Sequence, residues 1–171
     1  MRQETINIYQ FEELPEDKQE IAIEYFRQAN DYPFLSEDIA EELKHQLEKA
    51  GIEILDKDKM KVSYSLSYCQ GDGAMFEGKF KWNGYHISIV RAGHYHHYNS
   101  KVIDIEDDNG DSPDSDVYNK FNNIYVGMCR DLEKYGYARI EYEDSKESIV
   151  NLIDANDYEF YGNGKLIGCT A

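Results

Sequence analysis

Two stretches hold the side chains best able to do chemistry: "CQGDGAMFEG" (Cys69–Gly78) and "AGHYHHYN" (Ala92–Asn99). The first suggests a phosphate cradle. A dinucleotide fingerprint, however, needs G-x-G-x-x-G opening a helix after a strand, and a P-loop needs G-x-x-x-x-G-K-[ST]. Here Gly71-Asp72-Gly73 runs into the strand-like "AMFEGKFKW", and Gly78-Lys79 is followed by Phe80. No helix N-terminus follows to aim a dipole at phosphate. The expectation is a bend or bulge between paired strands, with a loop presenting Gln70 and Asp72 for binding as the alternative.

The second stretch suggests a metal. His94 and His96 are two apart, so on an extended strand both rings project from one face and His97 from the other. Asp72 or Cys69 would complete a zinc or iron site, which would support a small metal-dependent hydrolase centred on Asp72, His94 and His96, with Gln70 orienting substrate. The plainer expectation is no cofactor and a tyrosine-lined strand end, with Tyr95 and Tyr98 making protein contacts. Cys69 beside His94 would make a nucleophile and base, although a strand-end cysteine more often simply packs. No G-x-S-x-G elbow or H-E-x-x-H motif is present. Catalysis is therefore not the leading expectation.

A third stretch, Asp104–Asp116, holds Asp104, Glu106, Asp107, Asp108, Asp111, Asp114 and Asp116 with no basic residue among them. An EF-hand needs an acid at position one when its glycine is at position six; with Gly110 in that place, position one is Ile105, and the motif fails. A looser calcium site, a solvated acidic loop and mimicry of a phosphate strand all remain open.

The whole chain shares this character: 34 acidic against 18 basic residues, net charge -16. Such a field repels nucleic acid and anionic membrane and attracts basic surfaces. No dense Lys/Arg cluster offers direct nucleic-acid binding, although the acidity is also consistent with a role in solubility alone. Tyrosine is frequent, at 15 residues against 7 Phe and 1 Trp, and its amphipathic ring suits core margins and contact surfaces. Cys69, Cys129 and Cys169 form no close pair, and the hydrophilic start "MRQETINIYQ" carries no secretory pattern, so a reduced cytoplasmic protein is expected. No apolar run approaches the roughly 20 residues of a membrane span.

These residues need a scaffold, and 171 of them suit one domain, 1–171. A helix is expected to open near Pro15 with Ile21, Ala22, Tyr25 and Phe26 as its apolar stripe. A second should start at N-cap Ser36, use Ile39, Leu43 and Leu47, and stop at Gly51, forming a helical pair with the first. "KVSYSLSY" alternates, with Val62, Tyr64, Leu66 and Tyr68 on one face and Ser63, Ser65 and Ser67 on the other. "MFEGKFKW" alternates too, Asn83-Gly84 signals a hairpin, and "YHISIVRA" returns. "KVIDIED" is a candidate fourth strand. A long helix from about Ser115 to Tyr135 should end at Gly136. A shorter helix begins at Ser145, and "DYEFYGNGKLI" is expected to close as a hairpin. The sum is an α+β fold: an antiparallel β-meander packed against an N-terminal helical pair and a long helix in the C-terminal half.

Taken together, "YSLSYCQGDGAMFEG", "RAGHYHHYNS" and "NDYEFYGNGKL" resemble a group of small phage and prophage proteins of unassigned function. That group shares a strand–QGDGA–strand signature, a Tyr/His-rich strand downstream and a closing hairpin. The resemblance runs from about Glu13 to Leu166. Serine commonly follows Ala74 in the group, whereas this chain has Met75 and no hydroxyl there. The resemblance implies a mobile-element origin and no catalytic residues.

The leading expectation is thus a phage-derived accessory protein that acts by binding in the host cytoplasm. Its acidic surface would inhibit a host protein with a basic nucleic-acid-binding surface, as a DNA mimic directed at a defence nuclease of the CRISPR (an anti-CRISPR) or restriction type. Asp107, Asp108, Asp111 and Asp114 would supply charge, with Asp72, Tyr95 and Tyr98 adding short-range contacts. The rivals are the metal-dependent hydrolase and a self-associating structural or regulatory phage protein.

Overall fold

The computed structural model describes residues 5–168; Cys169 lies outside them. In chain order the elements are β1 (Ile8–Gln10), α1 (Glu16–Ala29), α2 (Leu35–Lys49), β2 (Glu53–Ile54), β3 (Lys61–Ser65), β4 (Gly73–Trp82) and β5 (Tyr85–Arg91). They continue with β6 (Lys101–Glu106), α3 (Ser115–Glu143), α4 (Lys146–Ala155) and β7 (Glu159–Tyr161). Four helices and an antiparallel five-stranded sheet make an α+β fold, as its periodicities require. Among the described residues, no helix is long and apolar enough to cross a membrane. The chain divides into two compact units: Phe34–Ala138, and the described residues through Pro33 together with those from Arg139 on.

In the latter unit, Phe11, Leu14, Ala22, Ile23, Ile149, Ile153 and Phe160 form a core. Helix α1 starts just after Pro15, and α4 starts after Ser145, whose hydroxyl accepts the Ser148 N–H at 3.2 Å. The stripe of α1 is turned from the expected one. Ala22 and Ile23 are buried with Phe26 against them, while Ile21 and Tyr25 are exposed. Its partner sets this face, since α1 packs on α4 in this unit while α2 belongs to the other. The closing hairpin forms, with Phe160 bridged to Leu166, and β7 pairs antiparallel with β1, a strand too short to show a period.

In the Phe34–Ala138 unit, the sheet order is β2-β4-β5-β6, with β3 also pairing β4. Asn83 and Gly84 both take positive φ (49° and 84°) at the β4–β5 turn, as a type I′ hairpin demands. Phe80, Trp82, Ile87, Ile89, Ile103 and Ile105 are buried on one face, against which Phe121 and Tyr125 of α3 pack; Met128 and Leu132 of α3 are buried as well. Trp82 meets Phe121 and Phe76 meets Tyr125 at ring-centroid distances of 5.4 and 4.6 Å. The Tyr125 phenol donates to the Phe76 carbonyl at 3.1 Å, so its burial leaves no donor unmet. The opposite face of β5 and β6 shows His86, Val90, Val102, Asp104 and Glu106 to solvent.

Three local expectations give way to tertiary context. Helix α3 runs through Gly136 to Glu143. That glycine is a contact point rather than a stop, because a Cβ there would lie 2.4 Å from Leu66 Cδ1 and 3.2 Å from Ile39 Cδ1. Ser36 lies inside the first turn of α2 and makes no cap; its hydroxyl shares a 2.7 Å hydrogen bond with the Tyr64 phenol. On β3 the buried residue is Ser63, opposite Met75, while Val62 and Tyr64 are half-buried. The first half of β4 is covered on both faces, so the serine side is not the solvent side.

Candidate functional site

The loop from Leu66 to Asp72 connects β3 to β4, and the glycine-rich stretch is therefore a hairpin connection. Asp72 organises it. One carboxylate oxygen accepts from the Ser65 hydroxyl (3.0 Å), the Ser67 hydroxyl (3.1 Å) and the Cys69 thiol (3.3 Å). The other accepts from the backbone N–H of Ser67 (2.8 Å) and of Cys69 (3.0 Å), and from the Tyr137 phenol in a short hydrogen bond. The Tyr137 phenol and these amides hold the Asp72 carboxyl far below its ordinary range. Burial, and then the adjacent carboxylate, push the Tyr137 phenol up to about 12. A carboxylate has about four lone-pair sites, and six donors already crowd these two oxygens. Asp72 is thus occupied within its own loop, with little capacity left to ligate a metal or take a proton from substrate.

The segment between β5 and β6 is a loop rather than a strand end. It folds back over β4, where a Cβ on Gly73 would lie 2.6 Å from His97 Cδ2. His96 places Nδ1 at 2.9 Å from the Tyr64 carbonyl, while His94 and Tyr95 are exposed. The two-residue spacing therefore does not put His94 and His96 on one strand face. Among the described residues no three of His, Cys, Asp or Glu are grouped to hold a metal. Tyr98 stacks on His97 with ring centroids 3.9 Å apart. It also receives Arg130, whose guanidinium lies 5.2 Å from the ring centroid and donates to the phenol oxygen at 3.2 Å. Tyr98 is thus partly spent on its own protein, whereas Tyr95 is 70% exposed.

Cys129 is buried on α3, and burial pushes its thiol up to about 12, the opposite of an activated nucleophile. Cys69 is exposed and bonded within the Asp72 loop.

The acidic stretch forms the corner between β6 and α3. Asp107 accepts from the backbone N–H of Asn109 (2.8 Å) and Asp111 (2.9 Å). The Asp111 and then the Asn109 amide hold its carboxyl below the ordinary value. Asp114 caps α3 by accepting from Asp116 and Val117 N–H, both at 3.0 Å. Asp108 stands 3.0 Å from His86 Nε2. Asp104, Glu106, Asp111 and Asp116 are exposed. The corner is acidic beyond its surroundings. Between Phe34 and Ala138 there are 19 acidic and 12 basic residues, and seven of the acids fall in Asp104–Asp116. Everywhere else in this unit, twelve acids are matched by twelve bases. Its net negative charge therefore sits at one corner, held in shape by two carboxylates that cap backbone amides.

Sequence reasoning picked out Asp72 and this acidic run but missed Tyr137 and Arg130. The two are seven residues apart on α3, which places them almost in line on one face, yet their partners lie far away in sequence. No protein-family model, curated protein or solved structure matches the chain.

Proposed function

We propose that this protein acts by binding, with the β6–α3 corner engaging a cationic surface of a partner that handles nucleic acid. The resemblance to phage and prophage proteins supports a host partner in the cytoplasm, of the restriction or CRISPR nuclease kind, whose nucleic-acid site the corner occludes. The carrying observation is the charge balance of Phe34–Ala138: seven uncompensated carboxylates at one corner of an otherwise neutral unit. Capping by Asp107 and Asp114 fixes the loop before any partner arrives, which lowers the ordering cost of binding. Long-range attraction speeds encounter; exposed Tyr95 and half-buried Tyr98, in the β5–β6 loop at the other end of β6, offer amphipathic contacts to a partner that extends along that strand.

The test is inhibition of DNA cleavage by purified nucleases of these kinds, measured with duplex DNA as competitor and across a salt series. The expected result is competitive inhibition whose association rate drops about tenfold or more between low and high salt. Inhibition that is indifferent to salt and to added DNA would overturn mimicry.

A further inference from the structure

Strand β6 ends the five-stranded sheet, pairing with β5 on one side and, among the described residues, with no strand on the other. The phase of its hydrogen bonds follows from one contact. Ala92 N–H donates to the Ser100 carbonyl at 2.6 Å, one register step beyond the Arg91–Lys101 pair. Hydrogen-bonded and non-bonded pairs alternate along an antiparallel ladder. The Val90–Val102, Ser88–Asp104 and His86–Glu106 pairs therefore bond across to β5. Arg91 fits this phase, since its N–H turns away from β6 to the Glu77 carboxylate at 2.8 Å. Ile103 and Ile105 then turn their N–H and C=O toward the open edge. A groove of about 440 Å³ runs beside that edge, lined by Ile103, Ile105, Pro113, Asp114 and Tyr118 among others.

We propose that this edge takes up an extended segment of a cationic protein partner as an added strand, with Lys or Arg alternating with apolar residues. The proposal rests on the corner being a cation-binding surface and names the form its ligand takes. An added strand would satisfy the outward backbone groups of Ile103 and Ile105. On the solvent face, its alternate residues would stand beside Asp104 and Glu106, which are exposed and two apart. Those between would enter the groove against Pro113 and Tyr118, a residue 40% exposed. The same carboxylates disfavour a second copy of this chain, because edge-to-edge pairing would set Asp104 and Glu106 against like charges.

The test uses the full-length protein and two synthetic ten-residue peptides of alternating lysine and valine. One has a normal backbone, and the other is N-methylated at alternate residues with charge and side chains kept. Affinity is measured at low salt, and amide exchange is read residue by residue by NMR. The expected result is binding of the unmethylated peptide, with Ile103 and Ile105 amides exchanging at least tenfold more slowly and the methylated peptide at least tenfold weaker. Equal binding of both peptides, or binding without protection of β6, overturns strand addition while leaving a cation-binding corner standing. Binding of neither peptide overturns strand addition and the cation-binding corner together.

Discussion

Two loops of this protein are organised by aspartate and behave differently. The β3–β4 connection, Leu66–Asp72, holds a single acid, Asp72, whereas the β6–α3 corner holds Asp107, Asp108, Asp111 and Asp114. In the first, a single carboxylate accepts from two hydroxyls, a thiol, two amides and a distant phenol, and its charge is consumed in holding the loop. In the second, Asp107 and Asp114 do that work for the backbone, leaving exposed acids with no cations interspersed. Residue type does not separate an aspartate spent on its own fold from one whose charge is left facing solvent. The number of donors each oxygen meets does, and so does the local balance of charge.

Asp72→Ala is the sharpest break in that contrast. It leaves the donors of Ser67, Cys69 and Tyr137 to find water or remain unmet, so it should lower the thermal midpoint more than any single corner substitution. Hydrogen exchange at Ser67 and Cys69 should accelerate with it. Gly136→Ala attacks the same loop through Leu66. Helix propensity gains about 1 kcal/mol and overpacking costs about 1–3 kcal/mol. The expected result is a net loss of about 1 kcal/mol in denaturant unfolding.

The contrast also has a pH signature. The Asp72 carboxyl is depressed when folded, so its stabilisation is complete above its ordinary value of 3.8 and is lost as pH falls below that. Asp107 acts in the same direction. Acid unfolding should therefore be less steep in Asp72→Asn than in the parent below about pH 4. In Tyr137→Phe, the Asp72 carboxyl should titrate closer to 3.8 by carbon NMR, because the phenol hydrogen bond that does most to favour the carboxylate is gone. Smallest of all should be the stability effect of Asp111→Asn or Asp116→Asn, within about 0.5 kcal/mol each. A larger loss would mean that these exposed carboxylates also hold the fold.

Much of the scaffold was legible because periodicity carries it. The alternation of "MFEGKFKW", the Asn83-Gly84 turn and the spacing from Phe121 to Leu132 each reflect a face that must be buried. Errors arose where a neighbour distant in sequence decides. Gly136 resembles a helix stop but is where Leu66 and Ile39 press on α3. Ser63 resembles a solvent residue but lies opposite buried Met75 on a doubly covered strand. The site was half legible for the same reason. Asp72 and the acidic run stand out in the chain, whereas Tyr137 and Arg130 become meaningful only when α3 meets the loops.

The central claim concerns where the charge lies as well as how much there is. The direct test pairs two variants of equal net charge. One neutralises Asp104, Asp108, Asp111 and Asp116 to asparagine; the other neutralises exposed Glu12, Glu20, Glu147 and Asp154 to their amides. Both are compared with the parent for association with a purified restriction or CRISPR nuclease that the parent inhibits. The account predicts that the corner variant loses at least tenfold in affinity and the other stays within about twofold, the scale on which an opposite-sign field steers binding. Equal losses in the two would show that total acidity, not the corner, is what the partner recognises.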